Sequence, residues 1–216
     1  MIKFKELPFR KENVWITSDI HGFHKNMAKG TSTWESGYRD FKDEIEMTKH
    51  ITDNINKYAQ KDDLLIHCGD WSFGGKENIL KLREMINCRN IINIEGNHDH
   101  NINTYLKLNP TYLENDYTAF PLFLEHVQLG YYKVENFSFM CSHYPYLLWH
   151  QSHKSVPLMF GHVHGSNPGV GKSMDVGIDN IFKLTGEYRP INLETFEAFV
   201  SNKEVYLESH HNSTTN

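Results

Sequence analysis

Three short apolar runs, separated by two amphipathic segments, set the strongest constraint on how this chain can fold. The runs at 14–18, 64–67 and 91–94 have the length of buried strands. The segments at 41–55 and 77–87 carry apolar side chains at helical spacing. Since strands joined by crossover helices pair in parallel, this part of the chain predicts an α/β fold with a parallel sheet. The side chains expected to face inward are Phe41, Ile45, Thr48, Ile51 and Ile55 in the first helix, and Ile79, Leu82, Met85 and Ile86 in the second.

The pattern changes after Pro110, where apolar runs are separated by turn signals. The turn signal at 129–131 predicts that the runs on its two sides pair as antiparallel strands. Later runs are predicted to be core strands, and a last run near the C-terminus to be an edge strand. The predicted strands are 117–120, 123–129, 131–134, 137–141, 157–160, 174–177 and, at the edge, 196–200.

The composition is that of one globular domain. A chain of 216 residues suits a single domain, expected over 1–207, with a flexible polar tail over 208–216. The formal charge of −5 argues against a broad surface for duplex nucleic acid. No apolar stretch approaches the ~20 residues that span a bilayer, and the N-terminus lacks a signal-peptide pattern. We therefore expect a cytoplasmic protein without membrane contact.

The three cysteines do not suggest a cross-linked or metal-binding framework. Cys68, Cys88 and Cys141 are far apart and lack the Cys-x-x-Cys spacing of a zinc ribbon. We expect them to be small buried side chains.

Polar residues of the kinds that bind metals follow each of five apolar runs. Open α/β sheets assemble their sites at the carboxyl ends of strands, so these residues are predicted to meet. Oxygen and imidazole donors together suit Mn, Fe, Co, Ni or Zn better than Mg or Ca alone. There are more donors than one ion uses, and two metals that share a carboxylate account for the surplus. The residues concerned are Asp19, His21, Asp70, Asn97, His98, Asp99, His143, His162 and His164.

Each of these elements has an ordinary structural explanation when taken alone. An Asp at the end of a strand, such as Asp19 or Asp70, is often only a turn residue. The Gly-Asn-His-Asp stretch at 96–99 could be a solvated turn with an incidental histidine. Five such elements, each directly after an apolar run, are an improbable coincidence. Together they favour a metal site.

The order of these elements resembles that of a known superfamily. Asp-x-His, Gly-Asp, Gly-Asn-His-Asp, Ser-His-x-Pro and Gly-His-x-His occur in the order typical of calcineurin-like metallophosphoesterases. Stretches at 18–26, 69–74, 142–145, 160–165 and 175–179 are similar to a subgroup of small bacterial and phage phosphoesterases. The resemblance extends over 14–192. It implies an α/β fold, a four-layer αββα sandwich of two mixed sheets flanked by helices.

The resemblance also implies roles for individual residues. One ion would be bound by Asp19, His21 and His164, the other by Asn97, His143 and His162, and both by Asp70 as a bridge. His98 would contact the phosphate and act as general acid, and Asp99 would orient its ring. The implied cofactors are two divalent ions, with Mn preferred and Fe, Zn, Ni or Co as alternatives. Only structural roles are expected for Asp175 and Asp179.

The expected activity is metal-dependent hydrolysis of a small phosphate ester. A hydroxide that bridges the ions would attack phosphorus, and His98 would protonate the leaving oxygen. We expect a phosphodiesterase, with a nucleotide-like compound among its candidate substrates. A phosphomonoesterase acting on nucleotides or other small phosphates is the alternative. Specificity would be decided by pocket walls from loops at 24–40, 71–76, 99–118 and 144–156.

Three other functions fit the sequence less well. A Ser/Thr protein phosphatase is doubtful, because 69–75 lacks the arginine of that family's Gly-Asp motif and Asp99 replaces its glutamate. A catalytically silent metal-binding scaffold should have broken ligand motifs, and none is broken. A nuclease would need a basic groove, which 22 Lys and Arg against 27 Asp and Glu do not favour. The oligomeric state is left open.

Overall fold

The computed structural model describes residues 4–108 and 122–206. The strands in these residues are β1 (Phe4–Glu6), β2 (Val14–Thr17), β3 (Leu64–His67), β4 (Asn90–Ile94), β5 (Glu125–Val127), β6 (Leu129–Val134), β7 (Phe137–Ser142), β8 (Leu158–Phe160), β9 (Ser173–Asp175) and β10 (Ile191–Asn192). The helices are α1 (Glu44–Tyr58), α2 (Lys76–Met85), α3 (His100–Leu108), α4 (Ile178–Thr185) and α5 (Leu193–Ser201).

The first sheet has the strand order β10-β2-β3-β4-β5. Its strands β2 to β5 are parallel, and β10 joins β2 in antiparallel orientation. Ile16, Ile66 and Ile92 lie side by side on neighbouring strands. The parallel arrangement predicted for the first three apolar runs is confirmed.

The second sheet has the order β1-β6-β7-β8-β9. Its centre is an antiparallel hairpin of β6 and β7, while β7, β8 and β9 are parallel to one another. The carboxyl ends of β7 and β8 therefore lie at the same edge of this sheet.

The two sheets pack face to face around the main core. Ile16 and Ile66 of the first sheet belong to the same buried cluster as Tyr132, Phe139 and Met159 of the second. Helices α1, α2 and α3 cover the other face of the first sheet through a separate buried cluster. The predicted α/β sandwich of two mixed sheets flanked by helices is confirmed.

The predicted edge strand at 196–200 is wrong, because these residues form part of α5. Asn192 caps this helix by accepting a hydrogen bond from the backbone N–H of Thr195. Leu193, Phe196 and Val200 lie on one buried face at helical spacing. Of the two aromatic residues that suggested a strand, Phe196 lies on this face and Phe199 is exposed.

The predicted turn at 129–131 is also wrong. β6 begins at Leu129 and continues through Gly130, and β5 pairs in parallel with β4. The chain therefore passes from the first sheet to the second at Gln128 instead of forming a hairpin. Gly130 is needed because a Cβ there would overlap the ring of Tyr132.

Smaller predictions have mixed outcomes. Ile45 was expected to face inward but is 51% exposed, because α1 begins at Glu44 and presents Met47 and Ile51 to the core. The three cysteines are buried and free, as expected. The strand predicted at 117–120 and the tail at 208–216 lie outside the described residues. Among residues 4–108 and 122–206, no helix combines the length and apolar character that a bilayer span requires.

Candidate metal centre

The loops after five strands meet at one end of the sandwich. The loop after β2 is held beside the loop after β3 by two hydrogen bonds, from Asp19 N–H to the Gly69 carbonyl at 2.9 Å and from His21 N–H to the Asp70 carbonyl at 3.0 Å. The loop after β8 is held to the end of β7 by the N–H of Gly161, which donates to the His143 carbonyl at 3.0 Å. The backbone N–H of His162, after β8, donates to both carboxylate oxygens of Asp19 at 3.0 Å, and this contact joins the strand ends of the two sheets.

A first cluster of candidate ligands combines residues from both sheets. Asp19 and His21 follow β2, and His164 follows β8. The Nε2 atoms of His21 and His164 each lie 4.0 Å from Oδ1 of Asp19. Ligands about 2.1 Å from one ion are separated by roughly 3–4 Å, so the three side chains have the spacing of a single site.

A second cluster lies beside the first. Asp70, His143 and His162 place one ligand atom each within 4.8 Å of one another. Asn97, which follows β4, joins them, since its Oδ1 lies 2.9 Å from Nε2 of His143 and 2.9 Å from Nδ1 of His162. All four predicted ligands of the second ion are therefore close together.

Asp70 connects the two clusters. Its Oδ2 lies 3.5 Å from Nε2 of His21 in the first cluster and 3.5 Å from Nε2 of His143 in the second. A carboxylate equidistant from a histidine of each group has the position that a bridging ligand would occupy.

The environment of His21 tests whether these residues fit metal ions. The side chain is buried, and within the described residues neither ring nitrogen has a hydrogen-bond partner. An unsatisfied buried polar group costs about 1–3 kcal/mol, so a partner is expected. The carboxylates of Asp19 and Asp70 and the imidazole of His164 lie around it, a set that suits borderline divalent ions. The residues present therefore fit two such ions.

The backbone at the clusters is strained. The φ angles of Asp19, His21, Asp70, His162 and His164 are all positive, between 48° and 73°. Non-glycine residues rarely adopt this conformation, which costs of order 1 kcal/mol or more at each position and is concentrated at functional sites. The fold maintains an unfavourable backbone here in order to point these side chains at one another.

Charges in the metal-free clusters shift the pKa values of several side chains. Burial raises the pKa of Asp19 to about 7, although His164 and His143 lower it. Burial lowers the pKa of His143, but the contact with Asp70 outweighs it and raises the value to about 9. Burial by itself raises the pKa of Asp70. His143 and His21 outweigh burial, so the net shift of the Asp70 pKa is downward. His143 would therefore have to release a proton near neutral pH in order to bind an ion.

His98 lies next to the first cluster. Its ring centroid is 5.4 Å from that of His21 and 5.9 Å from that of Phe73. Its backbone N–H donates to Oδ1 of Asp70 at 2.9 Å. The structure thus brings His98 to the site, with its backbone fixed by the predicted bridging carboxylate.

Asp99 does not make the contact that was expected of it. Its carboxylate is buried and accepts hydrogen bonds from the backbone N–H groups of Asp70 at 3.1 Å, Trp71 at 2.9 Å and Gly96 at 2.9 Å. Among the described residues, no hydrogen bond joins it to the ring of His98. These contacts favour a role in shaping the loop that carries Asp70 over one in orienting His98.

Two residues behind the first cluster were not recognised as part of the site. Asp179 Oδ2 lies 2.6 Å from Nδ1 of His164, and its carboxylate accepts two hydrogen bonds from Arg39, at 2.8 and 2.9 Å. Arg39 is buried and also donates to the carbonyls of Asp19 and Ile20. Asp179 lies in the stretch 175–179, whose resemblance to the phosphoesterase subgroup was a usable signal of a role at the site. Arg39 lies in a stretch that matches no motif.

The aromatic residues near the clusters fall into two groups. Trp71 is fully buried and packs in the core around α2, so it wedges the loop. His24 caps a short 3-10 turn by accepting a hydrogen bond from the N–H of Asn26. Phe73 and Tyr144 are exposed at the rim and remain available to a ligand.

Comparison with known proteins identifies the class that this fold and site define. The family model described as calcineurin-like phosphoesterase matches residues 12–213. The chain belongs to this family of metal-dependent phosphoester hydrolases, as its motifs predicted. A comparison with curated proteins gave no match.

A comparison with solved structures found neighbours of low sequence identity. The protein of unknown function AQ665 from Aquifex aeolicus has a TM-score of 0.59 and 19% sequence identity, and the similarity covers 86% of this chain and 98% of that one. The nuclease MPE from Pseudomonas putida has a TM-score of 0.34 and 17% identity, with 71% of this chain and 62% of that one covered. The first of these supports the assignment of the fold.

Proposed function

We propose that this chain is a two-metal phosphodiesterase that hydrolyses one ester bond of a small phosphodiester. The position of Asp70 carries the proposal, because its Oδ2 lies 3.5 Å from a histidine of each cluster. Two sites that share a carboxylate are the arrangement used to stabilise both the attacking and the leaving oxygen in phosphoryl transfer. Membership of the phosphoesterase family supports the same reaction class.

Seven residues are proposed as ligands, each with the role that the resemblance implied. They are Asp19, His21 and His164 for one ion, Asn97, His143 and His162 for the other, and Asp70 for both. When bound, two divalent ions, with Mn preferred over Fe, Zn, Ni or Co, would neutralise charge on the phosphate and activate a water molecule.

His98 is proposed as the general acid. Water adds to phosphorus and gives up a proton to solvent, the bond from phosphorus to the leaving oxygen breaks, and that oxygen takes a proton from the His98 imidazolium, which solvent then reprotonates. The ring is half-buried, and its nitrogens form no hydrogen bond within the described residues, so the proton is not committed elsewhere. The hydrogen bond from the backbone N–H of His98 to the carboxylate of Asp70 keeps the ring beside the clusters.

A diester is favoured over a monoester because the rim of the site carries an exposed aromatic side chain beside each of the two clusters. Phe73 lies beside His98, and Tyr144 packs against His143 and His162, with ring centroids 5.1 and 4.7 Å away. Both substituents of a diester would therefore find an aromatic side chain, whereas a monoester would use one. Hydrolysis of nucleotide monoesters remains the second candidate, because the same ligands and acid would serve it.

The test compares bis-p-nitrophenyl phosphate with p-nitrophenyl phosphate. The protein is stripped with a chelator and reloaded with Mn, and bound metal is counted by mass spectrometry. His98→Ala is expected to lower turnover of a dialkyl phosphodiester, whose leaving oxygen needs a proton, at least about 100-fold with two metals still bound. Turnover of bis-p-nitrophenyl phosphate should fall much less, because p-nitrophenolate leaves without a proton. Asp70→Asn should lose both turnover and metal, while His50→Ala, on the exposed face of α1, serves as the control.

Each result decides between the candidates. Faster turnover of the diester supports the phosphodiesterase, and faster turnover of the monoester supports the second candidate. Absence of turnover in a protein with two bound ions would contradict both.

A further inference from the structure

A cavity of about 340 Å³ opens beside the second cluster. Its walls come from the loop after β4, the start of α3, the link between β5 and β6, and the loop after β7. Asn97 is the one proposed metal ligand among its lining residues, so the cavity adjoins the metal centre without coinciding with it. The lining residues are Glu95, Gly96, Asn97, His100, Gln128, Tyr144 and Tyr146.

Two tyrosines give the cavity an aromatic wall. Tyr144 and Tyr146 are 42% and 41% exposed, which leaves part of each ring available to a ligand. The ring of Tyr144 is fixed by edge contacts with His143 and His162. Aromatic faces of this kind stack on flat rings and contribute about a factor of ten or more in affinity for each nucleobase.

The polar groups of the cavity suit an uncharged ligand that forms hydrogen bonds. The amide of Gln128 forms no hydrogen bond within the described part of the chain. Glu95 uses Oε1 to accept from Asn103, which leaves Oε2 available. His100 is exposed at the first residue of α3. No Lys or Arg is among these lining residues, all of which are described, so a second phosphate is a poor fit and a base edge a good one.

The position of His98 indicates which substituent enters the cavity. His98 does not line it, and its ring faces His21 and Phe73 instead. The leaving group, which takes its proton from His98, would lie on the Phe73 side. The cavity is therefore left for the substituent that stays on the phosphate.

We propose that this cavity binds the nucleoside of a nucleotidyl phosphodiester, so that the product retained there is a nucleoside monophosphate. The inference rests on the proposed function, and it names the substrate class of the same site. A volume of about 340 Å³ falls in the range of small-molecule sites.

The test uses two esters that share one leaving group. The p-nitrophenyl ester of thymidine 5′-phosphate and methyl p-nitrophenyl phosphate both release p-nitrophenolate, so they differ only in the substituent that stays. The Mn-reloaded protein is expected to have a KM about tenfold lower for the thymidine ester. Tyr146→Ala should remove most of that difference. Phe199→Ala, which changes a 40% exposed aromatic side chain on α5, should retain it.

Saturation-transfer NMR with millimolar thymidine provides a readout that needs no turnover. The base protons of thymidine should receive saturation from wild-type protein and much less from Tyr146→Ala. Equal KM values for the two esters, or a difference that survives Tyr146→Ala, would overturn the proposal. If neither ester is hydrolysed, the phosphodiesterase proposal fails, and the NMR result alone decides whether the cavity binds a nucleoside.

Discussion

Oδ2 of Asp179 lies 2.6 Å from Nδ1 of His164, so the imidazole is held by a carboxylate on the side that faces away from the first cluster. A hydrogen bond of this kind fixes which ring nitrogen is free to bind a metal and how the ring is turned. Burial disfavours the charge of Asp179, but Arg39 outweighs it and holds the pKa of that carboxyl far below its usual range. The carboxylate is therefore ionised near neutral pH.

Asp179→Asn is expected to weaken metal binding about 10- to 100-fold, because the amide is a poorer partner for His164. The measurement is calorimetric titration of the stripped protein with Mn. Asp40→Asn is the matched control, since Asp40 is an exposed carboxylate paired with Lys29. Urea unfolding of the stripped variants separates lost affinity from lost stability, because an unpaired Arg39 costs about 3–5 kcal/mol by itself. Unchanged Mn affinity would contradict this role for Asp179.

Asp99→Asn distinguishes the two roles considered for Asp99. Its carboxylate accepts backbone hydrogen bonds from Asp70, Trp71 and Gly96, and an amide can accept with one oxygen only. We expect a loss of roughly 2 kcal/mol or more in the free energy of unfolding, together with weaker metal binding. His98→Asn should instead lower kcat with unchanged stability. If Asp99→Asn instead lowered kcat and left stability and metal binding unchanged, the result would support the expectation that Asp99 orients His98.

Metal binding is expected to release about one or two protons near neutral pH. A ligand must lose its proton to bind, and the metal-free protein has raised pKa values at Asp19, to about 7, and at His143, to about 9. The affinity for Mn should therefore increase from pH 6 to pH 9. Titration in buffers with different heats of ionisation measures the number of protons directly, and a number near zero at pH 7 would contradict the prediction.

The same shifts predict how the stripped protein responds to pH. A raised pKa means that the folded state holds its proton more tightly than the unfolded state. The stabilising contribution of His143 is full below its unfolded value of 6.5 and is lost as pH rises through about 9. The contribution of Asp19 to stability is full below its unfolded pKa of 3.8 and is lost as pH rises through its folded pKa of about 7. The melting temperature of the stripped protein should fall between pH 7 and pH 9, and loading with Mn should reduce or reverse that fall.

Gly161→Ala is expected to disrupt both clusters. A Cβ at this position would overlap Oγ of Ser18 and lie 2.5 Å from Oδ2 of Asp19. The carboxylate of Asp19 would have to move from the N–H of His162, which now lies 3.0 Å from each of its oxygens. We expect a loss of about 1–3 kcal/mol in stability and a marked loss of Mn affinity. Gly75→Ala, where a Cβ meets nothing within 4 Å, should keep wild-type Mn affinity.

The sequence contained enough information for the parts of the fold that depend on periodicity. The runs that became β2, β3 and β4 are largely apolar, and the helices between them have clear buried faces. The errors arose where one pattern suits two structures. The aromatic run of α5 has strand-like composition, but a cap at Asn192 and the packing of Phe196 decide for a helix. The passage between sheets at Gln128 depends on pairing partners that no local pattern reveals.

The candidate site was predictable where residues follow strands directly. Such residues meet because parallel strands end at a common edge, and the seven proposed ligands do lie together. The supporting residues were not predictable in the same way. Arg39 reaches Asp179 across 140 residues of sequence, and Asp99 turns toward backbone amides instead of the adjacent His98. Contacts of this kind depend on the tertiary arrangement of loops.

Both clusters draw their ligands from the two sheets at once. Asp19, His21, Asp70 and Asn97 follow strands of the first sheet, whereas His143, His162 and His164 follow strands of the second. An ion in either cluster would thus act as a clamp between the two layers. A cut at Gln128 would divide the ligands between two fragments, neither of which holds a complete set. Metal capture would then report the reassembly of the fragments, which makes this chain a natural starting point for a split protein controlled by divalent ions.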